Sequence, residues 1–164
     1  MNQNAPSSAA PNTVPQGVPL LDLKRQHGPL GDQVAAALAR VYESGAFVLG
    51  PEVTELEKRI AAYCQVPHAI GCASGSDALL LALMALEVGP GDEVVLPSFT
   101  FFATASAVTR LGARPVFADI DPLTFNVDPA CVARLVGPQT KAILPVHLFG
   151  QCAEMDVLIG IAQG

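Results

Sequence analysis

From residue 68 onwards, short apolar runs alternate with longer segments in which apolar side chains recur at helical spacing. The apolar runs predict strands at 68–72, 93–96, 114–118 and 142–147. The helical spacing predicts helices at 77–87, 101–111, 129–135 and 153–162. This alternation predicts an α/β fold with a mostly parallel sheet, right-handed crossovers and helices on both faces of the sheet.

The part of the chain before residue 68 has a different pattern. Residues 1–17 are rich in Asn, Pro, Ser and Ala and carry no charged side chain, which predicts a disordered leader. Helical spacing follows at 30–43 and is expected to end at Gly45. Pro51 then stands where the first residue of a second helix is expected.

The composition limits the classes of function. A chain of 164 residues is long enough for one domain with a substantial core, and its residues are 51% hydrophobic and 15% charged. The net charge is −6 and no cluster of Lys and Arg exceeds a pair, so nothing supports binding to nucleic acid. The longest apolar run, residues 78–86, is far shorter than the roughly 20 residues of a membrane span.

The cysteines indicate the cellular compartment. Cys64, Cys72, Cys131 and Cys152 have no paired spacing, which predicts free, buried thiols in a reducing cytoplasm rather than zinc ligands or a disulfide framework. Residues 1–19 contain neither the basic segment nor the apolar segment of a secretory signal. We therefore expect a cytoplasmic protein with no metal site and no membrane partner.

Residues 73–77, Ala-Ser-Gly-Ser-Asp, lie between a predicted strand and a predicted helix. A glycine-containing turn into a helix leaves free backbone N–H groups at the positive end of the helix dipole, which suits a phosphate. The hydroxyls of Ser74 and Ser76 are expected to add two donors. The same residues fit a capping box between Ser74 and Asp77, and the local pattern alone favours capping. Asp77 is expected to serve the helix, since its carboxylate would repel a phosphate.

Three polar or aromatic groups follow predicted strands, at 74–77, 97–101 and 147–151. They are far apart in sequence, so only the sheet could bring them together. Because ligands collect at the carboxyl ends of the strands in an open parallel sheet, we expect these groups to converge on one crevice.

Longer motifs relate the chain to a known family. They include Gly75-Ser76-Asp77-Ala78-Leu79, Gly89-Pro90-Gly91-Asp92-Glu93-Val94, Pro97-Ser98-Phe99-Thr100-Phe101 and Pro145-Val146-His147-Leu148-Phe149-Gly150-Gln151. Nearly everything from about residue 18 to residue 164 resembles the DegT/StrS-type sugar aminotransferases, which are pyridoxal-phosphate enzymes of the aspartate-aminotransferase fold (fold type I). The resemblance implies that residues 18–164 are the N-terminal part of the large, cofactor-binding domain.

The resemblance implies cofactor-binding roles for three residues. Gly75 and Ser76 match the family positions that hold the cofactor phosphate, where glycine allows close approach and the hydroxyl donates a charge-assisted bond. Phe101 matches the position whose aromatic ring stacks on the cofactor. Phe99 and Phe102 are expected to be ordinary core residues.

The family's two reactive groups have no counterpart in this sequence. The carboxylate that pairs with the pyridine nitrogen and the Schiff-base lysine both lie, in the family, beyond the segment that matches 151–164. We therefore expect no catalytic residue within this chain and no activity of the chain alone. Lys24, Lys58 and Lys141 do not match the lysine position. His147 lies at an apolar strand end and is at least as well explained as a structural histidine.

The resemblance also implies a reaction and partners. A complete enzyme of this kind transfers an amino group, usually from glutamate, to a nucleotide-linked keto-sugar for polysaccharide, lipopolysaccharide or antibiotic-sugar biosynthesis. Members are typically homodimers, and residues 47–51 are expected to face the subunit boundary. Two alternatives stay open: a relative that dehydrates the keto-sugar, and a catalytically silent fragment that acts only by folding or pairing with another chain. A dinucleotide-binding domain is disfavoured because residues 71–75 lack the G-x-G-x-x-G spacing.

Overall fold

The computed structural model of the chain describes Gly17 and residues 20–164. The chain divides into two compact units, Met1–Ala69 and Ile70–Gly164. The leader predicted at residues 1–17 lies outside the described residues, except for Gly17. None of the helices in the described ranges combines the length and the apolar character that crossing a bilayer requires.

The first unit is helical in its described part. Its elements are α1 (Leu23–His27), a 3₁₀ turn (Gly28–Leu30), α2 (Gly31–Ser44) and α3 (Pro51–Cys64). Helix α2 ends where Gly45 adopts a left-handed conformation with φ of 65°, and Pro51 is the first residue of α3, as the sequence predicts. No residue of these helices is fully buried.

The second unit contains the predicted alternation of strands and helices. Its elements are α4 (Gly75–Ala85), β1 (Glu93–Pro97), α5 (Ala103–Arg110), β2 (Arg114–Ala118), α6 (Pro129–Leu135), β3 (Thr140–Ile143), a 3₁₀ turn (Leu148–Gly150) and α7 (Met155–Gln163). The three strands are parallel in the order β2-β1-β3, and Val95 of β1 pairs with Val116 and with Ile143. The predicted parallel sheet is confirmed.

Strand β1 lies at the centre of the sheet and is buried along its whole length. Val94 and Leu96 belong to a core cluster that they form with residues of α4 and α5. Val95 points to the opposite face, where it clusters with Val132 of α6 and Leu158 of α7. Helices therefore cover both faces of β1, which explains why this strand reads as a continuous apolar run.

Two strand predictions are wrong. Residues 68–72 form neither a strand nor a helix, and Ile70 within them is exposed. An apolar run becomes a strand only where a neighbouring strand pairs with it, and the sheet formed by the described residues does not reach this segment. Strand β3 runs from 140 to 143 rather than from 142 to 147. Leu144 N–H still donates to Val95 O, but the ladder stops there because Pro97, the next residue of β1 that faces β3, has no N–H to donate.

The cysteine prediction is half right. All four cysteines are free thiols, but Cys64, Cys72 and Cys152 are exposed and Cys131 is only partly buried. Cys64 is the last residue of α3, and Cys72 and Cys152 lie in connecting segments. Such segments run over the surface because their backbone groups need solvent or caps, so the thiols in them are exposed as well.

The connection after β2 is held by the carboxylate of Asp121. Its Oδ1 atom accepts hydrogen bonds from the backbone N–H groups of Leu123 at 2.9 Å and Thr124 at 2.8 Å. These bonds, the one from Thr124 first, hold the pKa of the Asp121 carboxyl below its ordinary value. The pKa of Asp121 is lower in the folded state than in the unfolded state. The contribution of these bonds to the free energy of unfolding is therefore fully present above the unfolded-state pKa and is lost as the pH falls through the folded-state pKa.

We therefore expect Asp121→Asn to make the chain's stability less sensitive to acid, because an amide keeps an acceptor oxygen but does not titrate. Urea titrations between about pH 5 and pH 1 measure how steeply the free energy of unfolding changes with pH, and this slope is compared between the variants. Asp156→Asn is the matched control, since the Asp156 side chain is exposed and makes no hydrogen bond within residues 20–164. Equal slopes for the two variants would contradict the role of Asp121.

Candidate functional site

A cleft of about 550 Å³ opens in the second unit at the carboxyl ends of β1 and β3. Its lining includes Ser74, Gly75, Ser76, Phe101, Pro145 and His147. These residues come from the start of α4, the connection from β1 to α5, and the segment after β3. The three groups expected to converge therefore do so, and the cleft has the volume of a small-molecule site.

The start of α4 is closed by the predicted capping box. Ser74 Oγ accepts a hydrogen bond from Asp77 N at 3.2 Å and donates one to Asp77 Oδ2 at 3.0 Å. The expected role of Asp77 in the cap is confirmed. The expectation that the Ser74 hydroxyl adds a donor for a ligand is wrong, because the cap already uses this hydroxyl both as acceptor and as donor.

The cap leaves a set of donors unused. The backbone N–H groups of Gly75 and Ser76 and the Ser76 hydroxyl make no hydrogen bond within the described residues. A Cβ atom added to Gly75 would meet no protein atom within 4 Å, so the fold itself does not require a glycine there. These donors lie in the first turn of α4, where the helix dipole is positive, and they are exposed. An anion is the ligand that such a turn favours.

Three phenylalanines precede α5, and they have different surroundings in the structure. Phe101 lines the cleft with 77% of its surface exposed. Phe102 is 75% exposed, and Phe99 is half-exposed with its ring 5.9 Å from that of Phe125. The prediction that Phe99 and Phe102 are core residues is wrong, because the buried face of α5 begins only at Thr104.

The loop from His147 to Ala153 forms another part of the cleft wall. His147 lines the cleft, and its Nδ1 atom accepts a hydrogen bond from Ala153 N at 3.1 Å. Within the loop, Phe149 and Gly150 both have positive φ, of 54° and 88°. Left-handed phenylalanine costs free energy, so other contacts must hold the loop in this shape. His147 is thus a structural histidine in part, although it lies after the end of β3 rather than at the predicted strand end.

Asn126 supplies those contacts, and sequence reasoning missed it. The side chain is 5% exposed, and its Nδ2 group donates to the carbonyls of Gln151 at 3.1 Å and Cys152 at 3.2 Å. Its Oδ1 atom accepts from Leu148 N at 3.0 Å. One buried amide therefore binds three backbone groups of the loop. The only signal in the sequence is a polar residue between Phe125 and Val127, which does not point to a partner.

No lysine, aspartate or glutamate lines the cleft among the described residues. Lys24 lies in α1, Lys58 lies in α3, and Lys141 lies in β3 with an exposed side chain. The cleft offers backbone amides, a free hydroxyl, an aromatic ring and an imidazole. Such groups bind and orient a ligand but provide no amine nucleophile.

Comparisons with known proteins agree with this description. The model of the DegT/DnrJ/EryC1/StrS aminotransferase family matches residues 30–164. A Geobacillus stearothermophilus protein named pleiotropic regulatory protein is 53% identical over 146 residues, which cover 89% of this chain and 39% of that protein. The UDP-2-acetamido-2-deoxy-3-oxo-D-glucuronate aminotransferase of Pseudomonas aeruginosa is 50% identical over 146 residues, which cover 89% of this chain and 41% of that protein.

Solved structures show the same similarity. The crystal structure of S. venezuelae DesV in complex with a ketimine intermediate has a TM-score of 0.87 at 46% identity, covering 89% of this chain and 39% of that one. NtdA from Bacillus subtilis with bound cofactor PMP has a TM-score of 0.85 at 37% identity, covering 89% of this chain and 34% of that one. The predicted architecture, part of the large domain of the aspartate-aminotransferase fold, is confirmed. The chain spans about two fifths of the length of the curated relatives it matches.

Proposed function

Because the chain belongs to the DegT/DnrJ/EryC1/StrS aminotransferase family, we propose that its cleft holds the phosphate and the ring of pyridoxal 5′-phosphate. The observation that carries this proposal is that free N–H groups at the start of α4 and the exposed ring of Phe101 border one cleft. The first arrangement suits a phosphate dianion and the second suits a flat aromatic ring. The cofactor combines these two parts.

Gly75 and Ser76 hold the phosphate in this proposal. Their two backbone N–H groups and the Ser76 hydroxyl are three donors that the capping box leaves unused, and the helix dipole adds a favourable field. Hydrogen bonds to a charged acceptor are the stronger kind. The absence of protein atoms around a Cβ position at Gly75 is the room that a phosphate needs for close approach.

Phe101 provides the flat surface for the cofactor ring. The Phe101 side chain is 77% exposed, so the protein covers little of its surface, and a stacked aromatic ligand would cover one face of the ring. Stacking of this kind contributes about 0.5–1.5 kcal/mol beyond the burial of area. Phe102 is equally exposed but does not line the cleft, so it is not assigned this role.

The cofactor, when bound, supplies the electron sink of amino-group transfer. The residues of this chain bind the phosphate, orient the ring and remove one of its faces from water. This proposal assigns none of them a proton transfer at the reacting atom, and no lysine or carboxylate lines the cleft among the described residues. The chain thus provides the binding half of the site.

The proposal for the whole protein is a transaminase that transfers an amino group, with glutamate as donor, to a nucleotide-linked keto-sugar. Two relatives support it, because both are named as aminotransferases of nucleotide-linked sugars: the Pseudomonas enzyme and the dTDP-3-amino-3,4,6-trideoxy-alpha-D-glucose transaminase of Streptomyces venezuelae. A homodimer is proposed as the assembly, with residues 47–51 at the subunit boundary. A cytoplasmic setting is proposed because all four thiols are free and three of them are exposed.

Substitutions in the cleft test this proposal through the affinity for pyridoxamine 5′-phosphate, which has no aldehyde to react with surface lysines. Ser76→Ala is expected to weaken binding by about 1.5–3 kcal/mol through the lost bond to a charged group. Phe101→Ala is expected to weaken it through lost stacking. Gly75→Ala is expected to weaken binding while leaving thermal stability unchanged or raised, because the added methyl group meets only the space of the ligand.

Ser106→Ala is the matched control for these variants, because Ser106 lies on α5 and does not line the cleft. Binding is measured by calorimetric titration of each purified chain. If the Ser76, Phe101 and Gly75 variants all bind as tightly as the Ser106 variant, the proposed site is wrong.

A further inference from the structure

The loop from His147 to Ala153 closes on itself through its first side chain. The Nδ1 atom of His147 accepts a hydrogen bond from the backbone N–H of Ala153 at 3.1 Å. A ring nitrogen that accepts such a bond carries no hydrogen, so the neutral imidazole has its hydrogen on Nε2. The backbone therefore selects one tautomer of His147.

The Nε2–H group of this tautomer is not used by a strong acceptor within the described residues. Its contact in the structure is with Cys152 Sγ at 4.0 Å, and a thiol sulfur is only a weak acceptor. The side chain is exposed and lines the same cleft as Ser76 and Phe101. A donor in one fixed tautomer at the wall of a ligand-sized cleft is available to an oxygen atom of the ligand.

Asn126 holds the loop that carries this donor. Its buried amide donates to the carbonyls of Gln151 and Cys152 and accepts from Leu148 N. These three groups lie between His147 and Ala153, so the amide fixes the backbone on which the Ala153 N–H bond to His147 depends. Removing the amide would take a hydrogen-bond partner from two carbonyls and one N–H group of the loop, and would leave a gap where the Asn126 side chain is 5% exposed.

We infer that His147 binds the ligand of the cleft as an Nε2–H donor and that Asn126 is the residue that positions it. The acceptor is an oxygen atom of a pyridoxal-type phosphate ester, and for this ligand class the inference rests on the proposed function. His147 is the binding residue. Asn126 acts only through the loop and touches no ligand.

Nuclear magnetic resonance of the whole chain tests the tautomer directly. The sequence contains three histidines, so ¹⁵N-histidine labelling together with the His147→Gln variant identifies the signals of His147. We expect an unprotonated Nδ1 and a protonated Nε2 in the free chain, and a shift of the Nε2 signals when pyridoxamine 5′-phosphate is added. A hydrogen on Nδ1 in the free chain would overturn the inference.

Two substitutions separate the donor from the ring. His147→Gln keeps an N–H donor near the position of Nε2, whereas His147→Phe keeps a ring of similar size without any donor. The phenylalanine variant is expected to bind pyridoxamine 5′-phosphate about fivefold to tenfold more weakly, as for a lost neutral hydrogen bond, and the glutamine variant is expected to retain most of the affinity. Equal affinities of the two variants would overturn the donor role.

The positioning role of Asn126 is tested with Asn126→Ala. We expect the His147 signals to report a mixture of tautomers and the affinity to fall as in His147→Phe. Thr140→Ala is the matched control, because Thr140 Oγ1 also accepts from a backbone N–H, that of Gly137, but lies at the other end of β3. If Asn126→Ala does not fold, Asn126→Asp keeps the acceptor for Leu148 without the two donors. Wild-type tautomer and affinity in a folded Asn126 variant would overturn the positioning role.

The same titration distinguishes failure of this inference from failure of the proposed function. Binding of pyridoxamine 5′-phosphate that leaves the His147 Nε2 signals unmoved overturns the donor role alone. No binding at all by the unmodified chain overturns the proposed cofactor site and the donor role together. Binding with the expected shift supports both.

Discussion

The 164-residue chain, mixed with pyridoxal 5′-phosphate, glutamate and a nucleotide-linked keto-sugar, is expected to form no amino-sugar. Transamination requires an amine that bonds covalently to the cofactor and moves protons at the reacting carbon. Among the described residues, no lysine lines the cleft. The lysine of the second unit, Lys141, lies in strand β3. Chromatography of the sugar nucleotides measures the product.

Reduction with borohydride completes this experiment, because it fixes any lysine that has bonded to the cofactor aldehyde. Peptide mapping then identifies the modified residue. Slow, scattered labelling of Lys24, Lys58 and Lys141 without product is the expected background of exposed amines. A single labelled lysine together with product formation would show that the catalytic amine lies within this chain, and an active transaminase run in parallel checks the assay.

Leu96→Ala is expected to lower the free energy of unfolding by about 2–5 kcal/mol. Leu96 is 1% exposed in the central strand β1 and packs in the cluster that β1 forms with α4 and α5. Truncating it removes apolar contacts and leaves a cavity between the sheet and these helices. Leu81→Ala on α4 is the matched control, since Leu81 is 49% exposed and its loss creates no cavity.

Urea denaturation followed by far-ultraviolet circular dichroism measures this effect. The chain has no tryptophan, and its two tyrosines, Tyr42 and Tyr63, lie in the first unit. Tyrosine fluorescence therefore reports on the first unit, whereas far-ultraviolet dichroism reports on the helices and strands of both units. The change in Leu96→Ala is expected in the dichroism and not in the tyrosine fluorescence. Equal losses of stability in the Leu96 and Leu81 variants would show that β1 is not the centre of the core.

Elements with strong local signals could be predicted from the sequence. Strand β2 has the predicted bounds, Arg114–Ala118, because an apolar run there pairs with the central strand. Helix α6 has the predicted bounds, Pro129–Leu135, because the Asp128 side chain caps it and Pro129 suits its first turn. In both cases the local pattern and the tertiary structure favour the same conformation.

The wrong strand and core predictions have a common physical cause. Whether a segment pairs or is buried depends on residues elsewhere in the chain, which the sequence of the segment does not identify. Residues 68–72 have the composition of a strand but no neighbouring strand among the described residues. Phe99 and Phe102 have the composition of core residues, yet they lie beyond the end of β1 and before the buried face of α5. Apolar character predicts that a residue can be buried, and topology decides whether it is.

The candidate site shows the same division. Ser76, Phe101 and His147 could be expected near one edge of the sheet because each belongs to a group that follows a predicted strand, and they do line one cleft. Asn126 could not be found, because its partners are backbone groups 22 to 26 residues away and carry no side-chain signal. The roles of Gly75, Ser76 and Phe101 in binding the cofactor stay predictions.

The central position of β1 has a consequence for synthesis of the chain on the ribosome. Its first residue, Glu93, pairs with Arg114 of β2 and with Thr140 of β3, which is 47 positions later (140 − 93). At about 5–20 residues per second, roughly 2–9 s of translation separate the emergence of β1 from that of β3. During this interval one edge of the most apolar strand of the sheet is an open template for other nascent chains. The speed of translation across residues 97–140 therefore sets how long the open edge of β1 in the nascent chain can pair with other chains and aggregate.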